Sequence, residues 1–231
     1  MMEVFRYDEA ALSHLKKRDK RLAWAIEQIG MIEREVDHDL FRSLVSSMIS
    51  QQISASAYRT VYARFEALCG GEVTPERVCA LGAEAIQRCG MSMRKAQNIE
   101  KAARRVCEGE FDLAVLPSLD DEEVCARLRS FDGIGTWTAE MLMLFSMERP
   151  DIVSYGDLAI VRGMRMLYRR KQIDKAAFAS YSKRYSPYGS VASLYLWAIA
   201  GGALDLPDPA KNENASAKDK QPKTNKKSIA R

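Results

Sequence analysis

Histidine is almost missing from this sequence: 231 residues hold only His14 and His38, both near one end. Histidine-based triads and clustered imidazole ligands are therefore poor readings of the remaining chain. Cysteine is scarce and scattered, since Cys69, Cys79, Cys89, Cys107 and Cys125 are odd in number and never closer than ten residues apart. That spacing fits neither a disulfide framework nor a zinc site or iron–sulfur quartet. No apolar run approaches the ~20 residues of a membrane span. The opening MMEVFRYDEA lacks a basic segment followed by an apolar one, so the chain is expected in a reducing compartment inside the cell. An enzyme built from what remains must work with carboxylates, hydroxyls, amides or lysines.

The body of the chain also lacks a charge excess. Of the net +4, all resides beyond Leu206, where Lys211, Lys218, Lys220, Lys223, Lys226, Lys227 and Arg231 face only Asp208, Glu213 and Asp219. Residues 207–231 have almost no large apolar side chain and are expected to be a disordered basic tail. A solubilising tail is the favoured reading over a phosphate-binding arm, because its charge density is moderate.

What is present is a helical period. Leu40, Phe41, Leu44, Val45, Met48 and Ile49 form one apolar stripe over residues 39–50. Further helices are expected over 54–69, from Thr74-Pro75, from Ser92 to Cys107, and over 120–130, 136–147, 157–168, 175–185 and 188–200. No segment sustains a period of two, so the fold is expected to be all-α, with about ten helices in residues 1–206. Two lobes are expected, one over about 40–130 and one from 1–39 together with 131–206.

The most informative stretch is Leu128-Arg-Ser-Phe-Asp-Gly-Ile-Gly-Thr-Trp-Thr-Ala-Glu-Met, in which Phe131 to Gly135 alone separates two helices. Gly133 and Gly135 let a foreign backbone approach, and the amides and dipole of the next helix suit a phosphate. Alone, this is an ordinary tight turn with a glycine cap. The helix that follows leads to Arg149-Pro-Asp-Ile-Val-Ser-Tyr-Gly-Asp157, where a carboxylate opens another helix.

With these residues the sequence resembles the helix-hairpin-helix DNA glycosylases, and within them the 3-methyladenine DNA glycosylase II branch. Gly133-Ile134-Gly135-Thr136-Trp137-Thr138-Ala139 and Asp157 match its signature, and Asp132 replaces the usual proline. Ser47-Met-Ile-Ser-Gln-Gln-Ile-Ser54 and Pro187-Tyr-Gly-Ser-Val-Ala-Ser-Leu-Tyr-Leu-Trp197 extend the likeness over roughly residues 8–204, with Gly189 where an arginine is common. The larger members carry an N-terminal β domain, which this chain is expected to lack.

The resemblance implies a monofunctional base-excision enzyme acting on alkylated purines of the 3-methyladenine and 7-methylguanine type. Asp157 is the expected catalytic carboxylate, since bond cleavage builds positive charge on the sugar and the head of a helix suits an anion. The flipped base is expected to stack on Trp137 and Trp197, with Tyr155 and Tyr195 as weaker candidates. Met141 lines the pocket or fills core, with core favoured. Gly133, Ile134, Gly135, Thr136 and Thr138 are the expected DNA-binding hairpin. Gln51 or Gln52 is the side chain wedged into the gap that flipping leaves.

By the same resemblance a K+ or Na+ ion sits on the backbone carbonyls of Arg129, Phe131 and Ile134. No other cofactor and no iron–sulfur cluster is expected. Family members that also nick DNA carry a lysine where this chain has Trp137, so no lyase step is expected. The partner is duplex DNA with damaged bases, bound by a monomer, with no membrane. The location is cytoplasmic and DNA-associated, or nuclear in a eukaryote. The alternatives are a noncatalytic helix-hairpin-helix DNA-binding module and a bifunctional glycosylase/lyase with a lysine elsewhere.

Overall fold

Asp8, Asp19, Asp39, Ser54, Thr74, Ser92, Asp120, Asp157 and Asp174 each turn a side-chain oxygen onto an amide of the following turn, and each begins an α-helix. Such caps satisfy amides that the helix itself leaves without partners. The computed structural model describes residues 3–210. Its helices are α1 (Glu9–Arg18), α2 (Lys20–Ile29), α3 (Leu40–Ser50), α4 (Ala55–Leu68), α5 (Pro75–Leu81), α6 (Ala83–Gln87), α7 (Met93–Cys107), α8 (Asp121–Leu128), α9 (Thr136–Phe145), α10 (Leu158–Tyr168), α11 (Lys175–Tyr185) and α12 (Gly189–Gly201), with a 3-10 helix at Leu113–Ser118. No helix among the described residues is long and apolar enough to cross a membrane.

The all-α expectation holds, with one small addition: Glu3–Val4 and Glu35–Val36 pair as antiparallel strands β1 and β2. Two residues per strand are too few to leave a period in the sequence. The predicted stripe of α3 is buried at Phe41, Leu44, Val45, Met48 and Ile49, while Leu40 is only partly covered.

In the middle of the chain α5 and α6 pack on α7, and in the second group α10 packs on α12 and α2 while α1 packs on α2 and α11. Helix α3 touches both α7 and α9, so it joins the two groups. A second tie is Arg149, whose guanidinium donates to the carbonyls of Leu116 and Leu119 at 2.9 and 2.8 Å and pairs with Asp121 at 3.2 Å. The expected tail lies mostly outside the described residues. Its first part is held, because Asp208 accepts from Arg165 at 2.8 and 3.2 Å.

The small ribbon is fastened through His38, whose ring nitrogens lie 2.5 Å from Glu3 and 2.8 Å from Glu148. Glu148 also accepts from the Arg6 amide at 2.7 Å. The hydrogen bond that His38 donates to Glu148, followed by the one it donates to Glu3, raises the His38 pKa above its ordinary value. A raised folded-state pKa contributes stability that is complete below the unfolded value of 6.5 and is lost as pH climbs through the folded value. Thermal unfolding of wild type and His38→Gln as a function of pH checks this: the gap is expected to be largest below pH ~6.5 and to close at alkaline pH. A gap independent of pH contradicts it.

Candidate active site

Helix α9 differs from most of its neighbours in having no side-chain cap, because its cap position is Gly135. The first amides of α9 are therefore left for an outside acceptor, and an anion is the partner they favour. Gly133 has φ +87°, a left-handed conformation that most side chains avoid, and a Cβ there would meet Asn98 at 3.0 Å. At Gly135 a Cβ would meet nothing, so that glycine leaves the approach to the hairpin open. Phe131 and Ile134 are buried, and Phe131 packs on Phe111 with ring centroids 4.4 Å apart. The hairpin is thus anchored from beneath by two apolar side chains and offers its backbone outward.

Helix α7 braces this loop from the side. Lys101 pairs with Asp132 at 2.6 Å, and Arg105 donates to the Ser130 carbonyl and hydroxyl at 2.9 and 3.1 Å. The Lys101 hydrogen bond holds the Asp132 carboxyl below its ordinary pKa. Where a proline would stiffen the loop through its ring, this chain uses a surface ion pair.

Asp157 lies one residue before α10 and is 7% exposed. One carboxylate oxygen accepts from the Ala159 and Ile160 amides at 2.9 Å each, and the other accepts from the Trp137 indole N–H at 2.9 Å. Three donors fix the carboxylate in one orientation at the mouth of a cavity. That cavity, of about 630 Å³, is lined by Asp157, Trp137, Met141, Phe145, Leu194, Trp197, Ala198 and the segment Ile32–Arg34. Its volume falls in the range of ~300–1,000 Å³ typical of sites for small organic groups. Trp197 stacks on Phe145 at 5.4 Å with 25° between the planes, and the Arg34 guanidinium lies 4.9 Å from the centre of the Phe145 ring. Trp137 is 46% exposed, so it can receive a planar group while its N–H holds Asp157.

The turn carrying Asp157 is held mainly by serines. Ser154 accepts the Asp157 amide on its carbonyl at 3.3 Å and donates its hydroxyl to Glu140. Burial pushes the Glu140 carboxyl up in pKa, with the Ser154 bond opposing and the Asp157 charge adding to the rise. From α12, Ser190 accepts the Ile152 amide at 2.9 Å, and Ser193 donates to the Ile152 carbonyl at 2.8 Å. Asp151 accepts the Gly189 amide at 2.9 Å and the Ser186 hydroxyl at 2.5 Å.

A protein-family model described as HhH-GPD superfamily base excision DNA repair protein matches residues 45–187. The chain belongs to this helix-hairpin-helix superfamily. A solved structure of a DNA-3-methyladenine glycosidase from Bacillus halodurans aligns with a TM-score of 0.77 at 36% identity, covering 87% of this chain and 93% of that one. The DNA-3-methyladenine glycosylase 1 of Schizosaccharomyces pombe is 29% identical over 198 residues, 82% of this chain and 85% of its own length. A structure of 3-methyladenine DNA glycosylase from that yeast in complex with abasic DNA aligns with a TM-score of 0.72 at 28% identity, covering 85% and 98%.

Within this superfamily fold the expected site residues divide into two sets. Asp157, Trp137, Trp197 and Met141 come together around one cavity, and Met141 lines it instead of filling core. Tyr155 does not join them: its ring sits edge-on to Phe178 at 5.0 Å and its hydroxyl donates to the Ile173 carbonyl at 3.4 Å. Tyr195 is fully buried and donates to the Gly30 carbonyl at 2.8 Å, so it is a core residue. In the hairpin, the Ile134 and Thr138 side chains are buried, which leaves only their backbone for an outside partner. Gly133, Gly135 and Thr136 remain at the surface.

The two glutamines have different settings. Gln51 donates its side-chain amide to the Gly133 carbonyl at 2.9 Å, and the Lys95 ammonium binds the carbonyls of Ile49 and Gln51 at 2.8 and 2.5 Å. Gln52 is exposed, with φ +58°, at the tip of the turn. Glycine at 189 has a steric cause, since a Cβ there would come within 2.6 Å of Asp151 and 2.7 Å of Val153. The sequence reading missed Phe145, the Ile32–Arg34 wall and the serine clasp. Phe145 lies at the end of α9 and Ile32 in the loop between α2 and β2, both without a diagnostic pattern, but Ser190 and Ser193 three apart in the otherwise apolar GSVASLYLWAIA were a usable sign. Buried hydroxyls require partners.

Proposed function

We propose that this protein is a monofunctional DNA glycosylase of base excision repair, which hydrolyses the N-glycosidic bond of alkylated purines flipped out of duplex DNA. The observation that carries the reading is the Asp157 carboxylate, held by three donors at the edge of a cavity walled by Trp137, Phe145 and Trp197. In this reading the hairpin amides grip a phosphate, and Gln52, the glutamine with no tie to the hairpin, fills the vacated stack. The expelled base lies against the aromatic walls, where an electron-poor alkylated purine gains most from stacking. Asp157 then faces the sugar, stabilises its growing positive charge and orients the attacking water.

The absence of lysine from the cavity lining supports hydrolysis over a lyase step. Lys95, on α7, is occupied by two carbonyls of the wedge turn. The hairpin also fits a monovalent cation. Among the described residues no hydrogen bond engages the Arg129 and Ile134 carbonyls, and the Phe131 carbonyl receives only the Ile134 amide at 3.1 Å. A K+ or Na+ ion on these three oxygens would add positive charge beside the phosphate site.

Incubation of the protein with methylated duplex DNA tests the proposal. Free methylpurine is expected by chromatography, with strand cuts appearing only after alkali. Cuts without alkali, or a DNA adduct trapped by borohydride, would replace hydrolysis with a lyase mechanism. No released base at protein concentrations that bind the duplex would reject the enzyme reading.

A further inference from the structure

Helix α10 meets the Asp157 cavity at its N-terminal end. Its eleven residues, at ~1.5 Å each, place Tyr168 about 16 Å from Asp157. At that far end lies a second cavity of about 410 Å³, lined by Arg18, Asp19, Lys20, Arg21, Tyr168, Arg170, Tyr181 and Arg184. Five of these eight side chains are cationic. The single carboxylate among them cannot offset the rim, because Asp19 is buried and already accepts from the amides of Arg21 and Leu22, the Tyr168 hydroxyl and the Arg184 guanidinium. Arg18, Lys20 and Arg170 are exposed, and none is in an ion pair with another described residue.

Lys20 and Arg21 also wall an adjoining slot of about 270 Å³ whose other sides are Trp24, Leu167, Arg169 and Leu206. Trp24 is 45% exposed there, an unusual place for so large an apolar ring. The two cavities thus form one surface, half cationic and half apolar.

We propose that this surface docks an acidic segment of a partner protein that carries an apolar anchor residue. Charge selects an acidic occupant, and the Trp24 slot selects a protein, since a duplex backbone has no apolar group to seat there. The chain's own residues beyond Ala210 are unsuited, because they carry seven basic residues against two acidic ones. Position also separates this surface from the hairpin, which lies with Asp157 at the opposite end of α10.

The test uses the full chain and a labelled peptide of Asp and Glu residues around a central Leu-Phe pair. Salt-sensitive binding is expected, weakened roughly tenfold or more by combined Arg18→Glu, Lys20→Glu and Arg170→Glu. Trp24→Ala is expected to weaken this peptide but not a version with Ser-Ser at its centre. Binding of an undamaged duplex is expected to stay unchanged in both variants. Equal binding of both peptides with no effect of Trp24→Ala overturns docking in favour of a bare ionic patch, and full displacement by inorganic phosphate would make it a phosphate site. Loss of duplex binding in the triple variant overturns the proposal and assigns the surface to DNA.

Discussion

Asp157→Asn is expected to lower the rate of base release about 10²–10³-fold while leaving duplex binding intact, the size of effect that follows loss of one preorganised electrostatic contact. The substitution is suited to the question because asparagine caps helices about as well as aspartate. Its carbonyl oxygen can keep the Ala159 and Ile160 amides that Asp157 now accepts at 2.9 Å. The loss falls on the other side, where a side-chain NH2 would face the Trp137 N–H and put two donors together. Lost helix-head attraction and one lost charged hydrogen bond amount to about 2–3 kcal/mol. That is a minority of the ~5–15 kcal/mol that holds a domain. The variant therefore stays folded at 25 °C, and the assay reads the lost charge together with the lost Trp137 contact. Single-turnover release of methylpurine, with duplex binding measured in parallel, separates the outcomes. Retention of more than about a tenth of the wild-type rate would remove Asp157 from the chemistry.

Much of this arrangement was visible in the amino-acid order, and the parts that were not share a physical cause. Helix starts were readable because capping is local: Asp120, Asp157 and Asp174 lie next to the helices they begin. The hairpin was readable because its glycines serve backbone geometry, which leaves a mark at fixed positions. The cavity wall was harder. Ile32, Glu33 and Arg34 reach it from a loop more than 100 residues away in sequence from Asp157, and only the tertiary fold brings them together. Tyr155, a weaker candidate for stacking on the flipped base, lies elsewhere although it is only two residues from Asp157 in sequence. The turn at Tyr155-Gly156 carries its ring away to Phe178. Gln51 and Gln52 were indistinguishable as letters and differ once the hairpin carbonyl of Gly133 claims one of them.

Gly163→Ala is the second large expected effect, because it acts on the helix that carries Asp157 without touching the site. A Cβ at Gly163 would lie 2.2 Å from the Leu196 carbonyl oxygen and 2.9 Å from its carbon. Two influences oppose each other. Alanine favours a helix interior over glycine by ~0.5–1 kcal/mol, whereas overpacking costs ~1–3 kcal/mol or more when the neighbour cannot yield. Here the neighbour is main chain of α12, so no rotamer relieves the overlap and α10 must move off α12. The net loss of about 2 kcal/mol corresponds to a fall in Tm of roughly 4–8 °C for a chain of this size. Function is expected to suffer further, since displacement of α10 shifts Asp157 against Trp137 and misplacement near 1 Å costs about 10²-fold. Gly201→Ala is the control: it lies in α12, a Cβ there meets nothing within 4 Å, and no loss is expected. Calorimetry with base release measured well below the variant's Tm distinguishes the two parts. A Gly163→Ala protein with unchanged Tm and rate would show that α10 and α12 do not approach as closely as a Cβ 2.2 Å from the Leu196 carbonyl oxygen implies.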